Sequence, residues 1–196
     1  MKRISVTLVA LGALAGVALT SRDAHALGPV DVEVGAKAGA ATNPADSPSP
    51  NPLGLGIGAR GGVSFLGLYG GLNAMYYVGS SSDVGALHLS NHALQLGLEA
   101  GYGFTFSILT IRPQIGFGSI SFSGSSSGTV AGVTVNGDSS DSHFYVEPGV
   151  TGLIGLGLWY VGADANVLVI PGVDQGNGNS KTFTSFTMHG QFGFKI

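Results

Sequence analysis

From Val30 onward the chain alternates, one apolar side chain and then one glycine, polar or charged residue, in long uninterrupted runs. A period of two is the mark of a strand with two unlike faces. Runs cover 30–40, 53–65, 69–78, 94–104, 109–118, 144–154, 159–169 and 185–196. Each holds roughly ten residues or more, whereas soluble strands average about five or six. Strands of about 9–11 residues are what a tilted crossing of a bilayer requires. The length of the alternation therefore restricts the chain to an all-β fold, an eight-stranded antiparallel up-and-down transmembrane β-barrel. A soluble periplasmic sandwich or a lipocalin-like barrel is the alternative, and either would be built from shorter strands.

Composition supports the lipid setting. Charged residues make up 10% of the chain, against about a quarter in soluble domains. After the N-terminus there is no apolar run of about 20 residues, so a transmembrane helix is not expected in the barrel region. Cysteine is absent, which excludes disulfides, zinc-thiolate sites and thiol nucleophiles. The net charge of −3 argues against nucleic acid as a partner.

The first residues read as a targeting segment. Lys2 and Arg3 precede an apolar stretch over 4–19, and Ala24-His25-Ala26 forms a small-residue cleavage signal. Residues 1–26 are expected to be removed as a signal peptide, leaving 27–196 as the barrel domain.

Connections alternate in length. Those at 65–68, 105–107 and 155–157 are tight. Those at 42–52, 79–91, 120–142 and 171–181 are long and rich in Ser, Asn, Asp, Gly and Pro. Short turns on one rim and long loops on the other fit an outer-membrane barrel with periplasmic termini. Phe65, Phe104, Phe106, Trp159, Tyr160, Phe192 and Phe194 fall near the short-turn rim. Tyr76, Tyr77, Phe117, Phe122, Phe144 and Tyr145 fall near the other, so two aromatic girdles are expected. Pro113 and Pro148 lie inside strands on the lipid-facing parity, where bulges would accommodate them.

The run from Leu109 to Gly118 (Leu-Thr-Ile-Arg-Pro-Gln-Ile-Gly-Phe-Gly) and the alternating last strand resemble the small OmpA/OmpX-type outer-membrane β-barrel superfamily over nearly the whole mature chain. That resemblance implies a Gram-negative outer-membrane location and recognition of the last strand by the barrel-assembly machinery. The family's strand ends in an aromatic residue; here it ends Phe194-Lys195-Ile196. No peptidoglycan-binding domain follows the barrel, so the anchoring role of longer members is not implied.

An eight-stranded barrel has a bore that side chains fill, which makes an open porin unlike it. Charge on the lipid face is costly, so Glu33, Lys37, Arg60, Glu99, Arg112, Glu147, Asp164 and His189 are assigned to a lumenal network with a structural role. A turn centred between Thr105 and Phe106 would set Glu99 opposite Arg112. A turn centred between Leu66 and Gly67 would set Arg60 opposite Asn73. No catalytic, cofactor or metal residues are assigned. His88, His92, His143 and His189 carry no recognisable catalytic signature, and the glycine strings lack the ending of a phosphate loop. The expected role is a non-enzymatic envelope component, structural or surface-interacting. A lipid A-modifying enzyme or a narrow ion channel are the alternatives. Expected partners are outer-membrane lipids and lipopolysaccharide, with an extracellular partner at 120–142, where a hairpin could project. The barrel is expected to be monomeric.

Overall fold

The computed structural model describes residues 30–42, 53–84, 87–130, 133–174 and 180–196. The expected signal peptide, 1–26, lies outside them, as do most of the 42–52 connection and residues 175–179. Asp31–Ile196 form one compact unit. Its strands are β1 (Val30–Ala41), β2 (Leu55–Phe65), β3 (Leu68–Val84), β4 (Leu87–Tyr102), β5 (Phe104–Phe106), β6 (Leu109–Val130), β7 (Val133–Leu156), β8 (Trp159–Asp174) and β9 (Ser180–Lys195).

Consecutive strands lie side by side in the sheet, β4 and β5 excepted. β1 joins β9 with Ala36 opposite Phe192, and β4 joins β6, which closes the sheet. β4 and β5 are one wall, so the barrel has eight. The interruption between them faces Pro113. Gly101 still pairs with Gln114 and Phe104 with Ile111, and the register is the same on both sides. Pro148 behaves likewise: the β7–β8 ladder skips from Val146↔Val169 to Gly149↔Asn166 without a shift. The prolines therefore sit in in-register gaps and not in the expected bulges. A residue without an N–H removes a rung but need not displace the strand. The register shifts lie elsewhere, between Val78 and Ser81 and between Ile170 and Val173.

Alternate residues face lipid-side and lumen-side positions as the sequence period requires. In β9, Ser185, Thr187, His189, Gln191 and Gly193 are buried, while Phe186, Met188, Gly190, Phe192 and Phe194 are exposed. Leu72, Leu96, Leu98, Ile115 and Phe117 continue this exposed apolar belt on other strands. The girdle assignment needs correction at four positions. Tyr77, Tyr145 and Tyr160 are buried in the bore, and Phe122 packs against the buried cluster there. All four occupy inward parity, and parity overrides height along the strand.

Two hairpins show how turns set register. Leu66 and Gly67 both have positive φ, 50° and 86°, which suits a two-residue hairpin loop, and Arg60 pairs with Asn73 as expected. The next hairpin turns at Ser107 (φ 57°) and Ile108, with Phe106 opposite Leu109. This is further along than the expected turn between Thr105 and Phe106. Glu99 consequently faces Gly116, and Arg112 faces Thr151 on the other side. The slip is an even number of residues, so every side chain keeps its face.

Stretches expected as long loops are largely strand. β3 and β4 pair up to Val84↔Leu87, and β6 and β7 up to Val130↔Val133. The β2–β3 ladder ends at Leu55↔Val78 and the β7–β8 ladder at Val146↔Val169. Above these rungs β3, β4, β6 and β7 continue as a four-stranded sheet that projects beyond the barrel.

Candidate functional site

The eight charged or titratable residues assigned to the bore are all buried there. At the short-turn end Arg112 grips Glu33 with two bonds, Nη1 to Oε2 at 2.9 Å and Nη2 to Oε1 at 2.6 Å. Ser64 donates to Glu33 at 3.3 Å. The Arg112 guanidinium lies 4.0 Å from the Tyr69 ring centroid, a cation–π contact. Arg60 meets Glu99 at 3.1 Å and donates to Gln191 at 3.1 Å and to Tyr69 at 3.3 Å.

Asp164 anchors the middle layer. Lys37 approaches it at 3.2 Å, His189 Nδ1 at 2.8 Å, Gln191 at 2.9 Å and Asn166 at 2.7 Å. Lys37 also reaches Glu99 at 3.9 Å, which links the two layers. His189 Nε2 contacts the Tyr77 hydroxyl at 3.0 Å. Glu147 is held by neutral donors, Gln95 at 2.6 Å and Thr187 at 2.8 Å. The expected Glu99–Arg112 pair does not form. Arg60 takes Glu99 and Arg112 takes Glu33, because the hairpin slip moves Arg112 away from Glu99 along the bore.

Sequence reasoning did not single out the neutral members: Ser64, Tyr69, Gln95, Asn166, Thr187 and Gln191. Their signal was available, since each shares the inward parity of a charged neighbour. It also missed a second layer. At the outer end of the bore Leu53, Met75, Tyr77, Ala93, Ile120, Tyr145, Leu168 and Ile170 form an apolar cluster at 0–1% exposure. Phe122, Val173 and Phe183 pack against it. An ion leaving the charged layers outward would have to cross this plug without water, at a cost of several kcal/mol or more.

Wild type and Glu99→Ala are therefore both expected to give baseline current in planar bilayers, because the plug is intact in each. A stepwise conductance in either would show that the bore opens.

The histidines are scattered. His189 belongs to the sealed network. His92 lies tilted against Tyr76 with ring centroids 5.6 Å apart on the outer surface, and His143 pairs with Asp141 at 3.0 Å near the top of the bore. Among the described residues no three His, Asp or Glu side chains are grouped to hold a metal.

No family model matches the chain, and no curated protein matches it in sequence. Solved structures do match. A major outer membrane protein from Thermus thermophilus aligns with TM-score 0.62 and 13% identity, over 85% of this chain and 99% of that one. Neisserial surface protein A aligns at 0.50 and 15%, over 86% and 97%. Ail, the attachment invasion locus protein of Yersinia pestis, aligns at 0.51 and 7%, over 85% and 97%, and a second Ail structure contains the heparin analogue sucrose octasulfate. At these identities the likeness is one of fold.

Proposed function

We propose that this chain, having the fold of the small outer-membrane β-barrels, is a non-enzymatic surface protein of the Gram-negative outer membrane. In this reading residues 1–26 direct export and are cleaved. The exposed apolar belt meets lipid, the filled bore holds the barrel rigid, and the projecting sheet is the working part.

The observation that carries the reading is the unbroken β6–β7 ladder. It runs from the barrel wall to Val130↔Val133, while β7 leaves β8 at Val146. From Val146 to Val133 the strand spans about 40 Å at roughly 3.3 Å per residue. A stiff sheet of that reach can present the β7 edge over 139–145 and the end of β3 to a partner strand, which main-chain hydrogen bonds would hold. Serine pairs brace it, Ser90 with Ser125 at 2.8 Å and Ser121 with Ser142 at 2.6 Å.

Residues 79–92 and 119–145 contain Asp83, Asp138 and Asp141 and no lysine or arginine. Charge therefore disfavours a sulfated ligand of the kind found with Ail and favours a neutral or basic protein segment.

Removing residues 124–139 is expected to leave heat-dependent gel mobility intact and to abolish adhesion of the cells that display the protein. Undiminished adhesion would refute the surface role. Membrane fractionation tests the location, and recovery of the processed chain from the aqueous periplasm would overturn it.

A further inference from the structure

The three tight turns have an unusual composition. Two-residue hairpin loops draw on Gly, Asn, Asp and Ser. Here the central residues are Leu66-Gly67, Ser107-Ile108 and Gly157-Leu158, and no charged residue lies within three positions of any of them along the chain. Leu66 keeps φ at 50°, a conformation that glycine or asparagine adopts at lower cost. Leu66, Ile108 and Leu158 are 63%, 61% and 64% exposed. Leu68, Phe106 and Leu156 beside them are equally bare. One end of the barrel is thus rimmed by large apolar side chains, and apolar exposure on that scale marks a surface that something covers.

Two observations identify the cover. The first is continuity. The apexes extend the lipid-facing belt through Phe65 and Leu68, Phe106 and Leu109, and Leu156 and Trp159, with no polar break apart from Ser107. The second is height. From Leu68 to Val78, β3 rises about 25 Å at roughly 3.3 Å per residue and a tilt near 40°. That already matches the apolar band of about 25 Å seen in such barrels. Lys195 marks the boundary: its backbone N–H donates to the Leu158 carbonyl at 2.9 Å, and its Nζ meets Asp31 at 2.9 Å in a partly exposed ion pair. The apexes therefore sit level with charged groups, at the lower edge of the belt.

We infer that the short-turn end is seated in the inner-leaflet interface, with Leu66, Ile108 and Leu158 inserted among phospholipid headgroups and the first acyl carbons. The barrel does not stand out into periplasmic water on this side. This rests on the membrane location proposed above. Its consequence is asymmetric anchoring: an apolar foot in the inner leaflet and a polar sheet held out on the opposite side.

The absence of cysteine makes each single-cysteine variant a unique probe. Leu66→Cys, Ile108→Cys and Leu158→Cys are compared with Leu98→Cys in mid-belt and Ser140→Cys on the projecting sheet. Each is labelled with an environment-sensitive dye and reconstituted in phosphatidylethanolamine–phosphatidylglycerol nanodiscs, where both faces meet solvent. Apex probes should be quenched by lipids spin-labelled near the headgroup and protected from iodide several-fold relative to Ser140→Cys. A charged maleimide, used without the dye, should alkylate them several-fold more slowly. Apex probes as iodide-accessible as Ser140→Cys, with Leu98→Cys still lipid-quenched, would overturn the foot and leave the membrane reading standing. Iodide access at Leu98→Cys as well would refute both.

Discussion

Replacing Arg112 with alanine is expected to remove about 3–5 kcal/mol of folding stability. The guanidinium is buried, makes both bonds to Glu33 and stacks over Tyr69. Without it Glu33 keeps Ser64 as its near donor, at 3.3 Å, in a bore with little room for water. Most of the loss is the cost of an uncompensated carboxylate and not the intrinsic worth of the pair. Removing both charges with Glu33→Gln and Arg112→Met should accordingly recover most of the stability. Arg112→Lys should fall between, since an ammonium cannot supply the two parallel bonds. Urea titration of refolding into lipid vesicles measures all three variants against the unchanged protein. A loss below about 1 kcal/mol for the alanine variant would mean the carboxylate finds water or another cation, and that the lumenal network is not what fixes the bore.

The same pair shows what was legible in the chain. Which face each charge occupies follows from parity alone, and lipid exacts a high cost for error, so parity places Glu33, Glu99 and Arg112 inside without ambiguity. Which charge meets which depends on hairpin register. Leu66-Gly67 declares its turn through a glycine at positive φ, and the Arg60↔Asn73 pairing follows. Ser107-Ile108 carries no such marker, while Gly103, a short way upstream, suggests an earlier turn that the strand does not make. Four residues of slip leave the faces intact and exchange the partners.

The projecting sheet was legible only in part: a hairpin within 120–142 was expected, but not the continuous strand on either side of it or the extension of β3 and β4 beside it. A strand wetted on both faces has no apolar period, and the serine-rich stretches around Gly124 and Ser139 read as loop. Their strand character comes from cross-strand pairing, with Ser121 opposite Ser142 and Gly124 opposite Ser139. Pairing of that kind leaves no mark in the sequence of one strand taken by itself. The apolar plug was in principle visible. Met75, Tyr77, Tyr145, Leu168 and Ile170 lie on inward parity, and large apolar residues on the face reserved for charge signal a filled end of the bore.

Glycine and tyrosine in the bore form a matched set, and this yields the second large effect. Tyr160 on β8 lies across Gly193 of β9 and reaches Gly35 of β1, since Gly35 pairs with Gly193 and Gly193 with Tyr160. A Cβ placed on Gly35 would strike the Tyr160 hydroxyl and come within 3.1 Å of the ring carbon that bears it. Tyr160→Ala is expected to cost about 3–5 kcal/mol, because the side chain is 1% exposed and the rigid sheet cannot close over its space. Gly35→Ala should cost about 1–3 kcal/mol by overpacking. The Tyr160 hydroxyl has no hydrogen-bond partner among the described residues, so Tyr160→Phe should be close to neutral. It also removes the atom that the new methyl would meet. Gly35→Ala is therefore expected to lose most of its penalty in the Tyr160→Phe background, a coupling that a double-mutant cycle in the same vesicle assay isolates. Equal penalties in both backgrounds would locate the cost in the β9 backbone, where the Phe192 carbonyl stands 3.0 Å from the added carbon, and would dismiss the tyrosine as the reason for glycine at position 35.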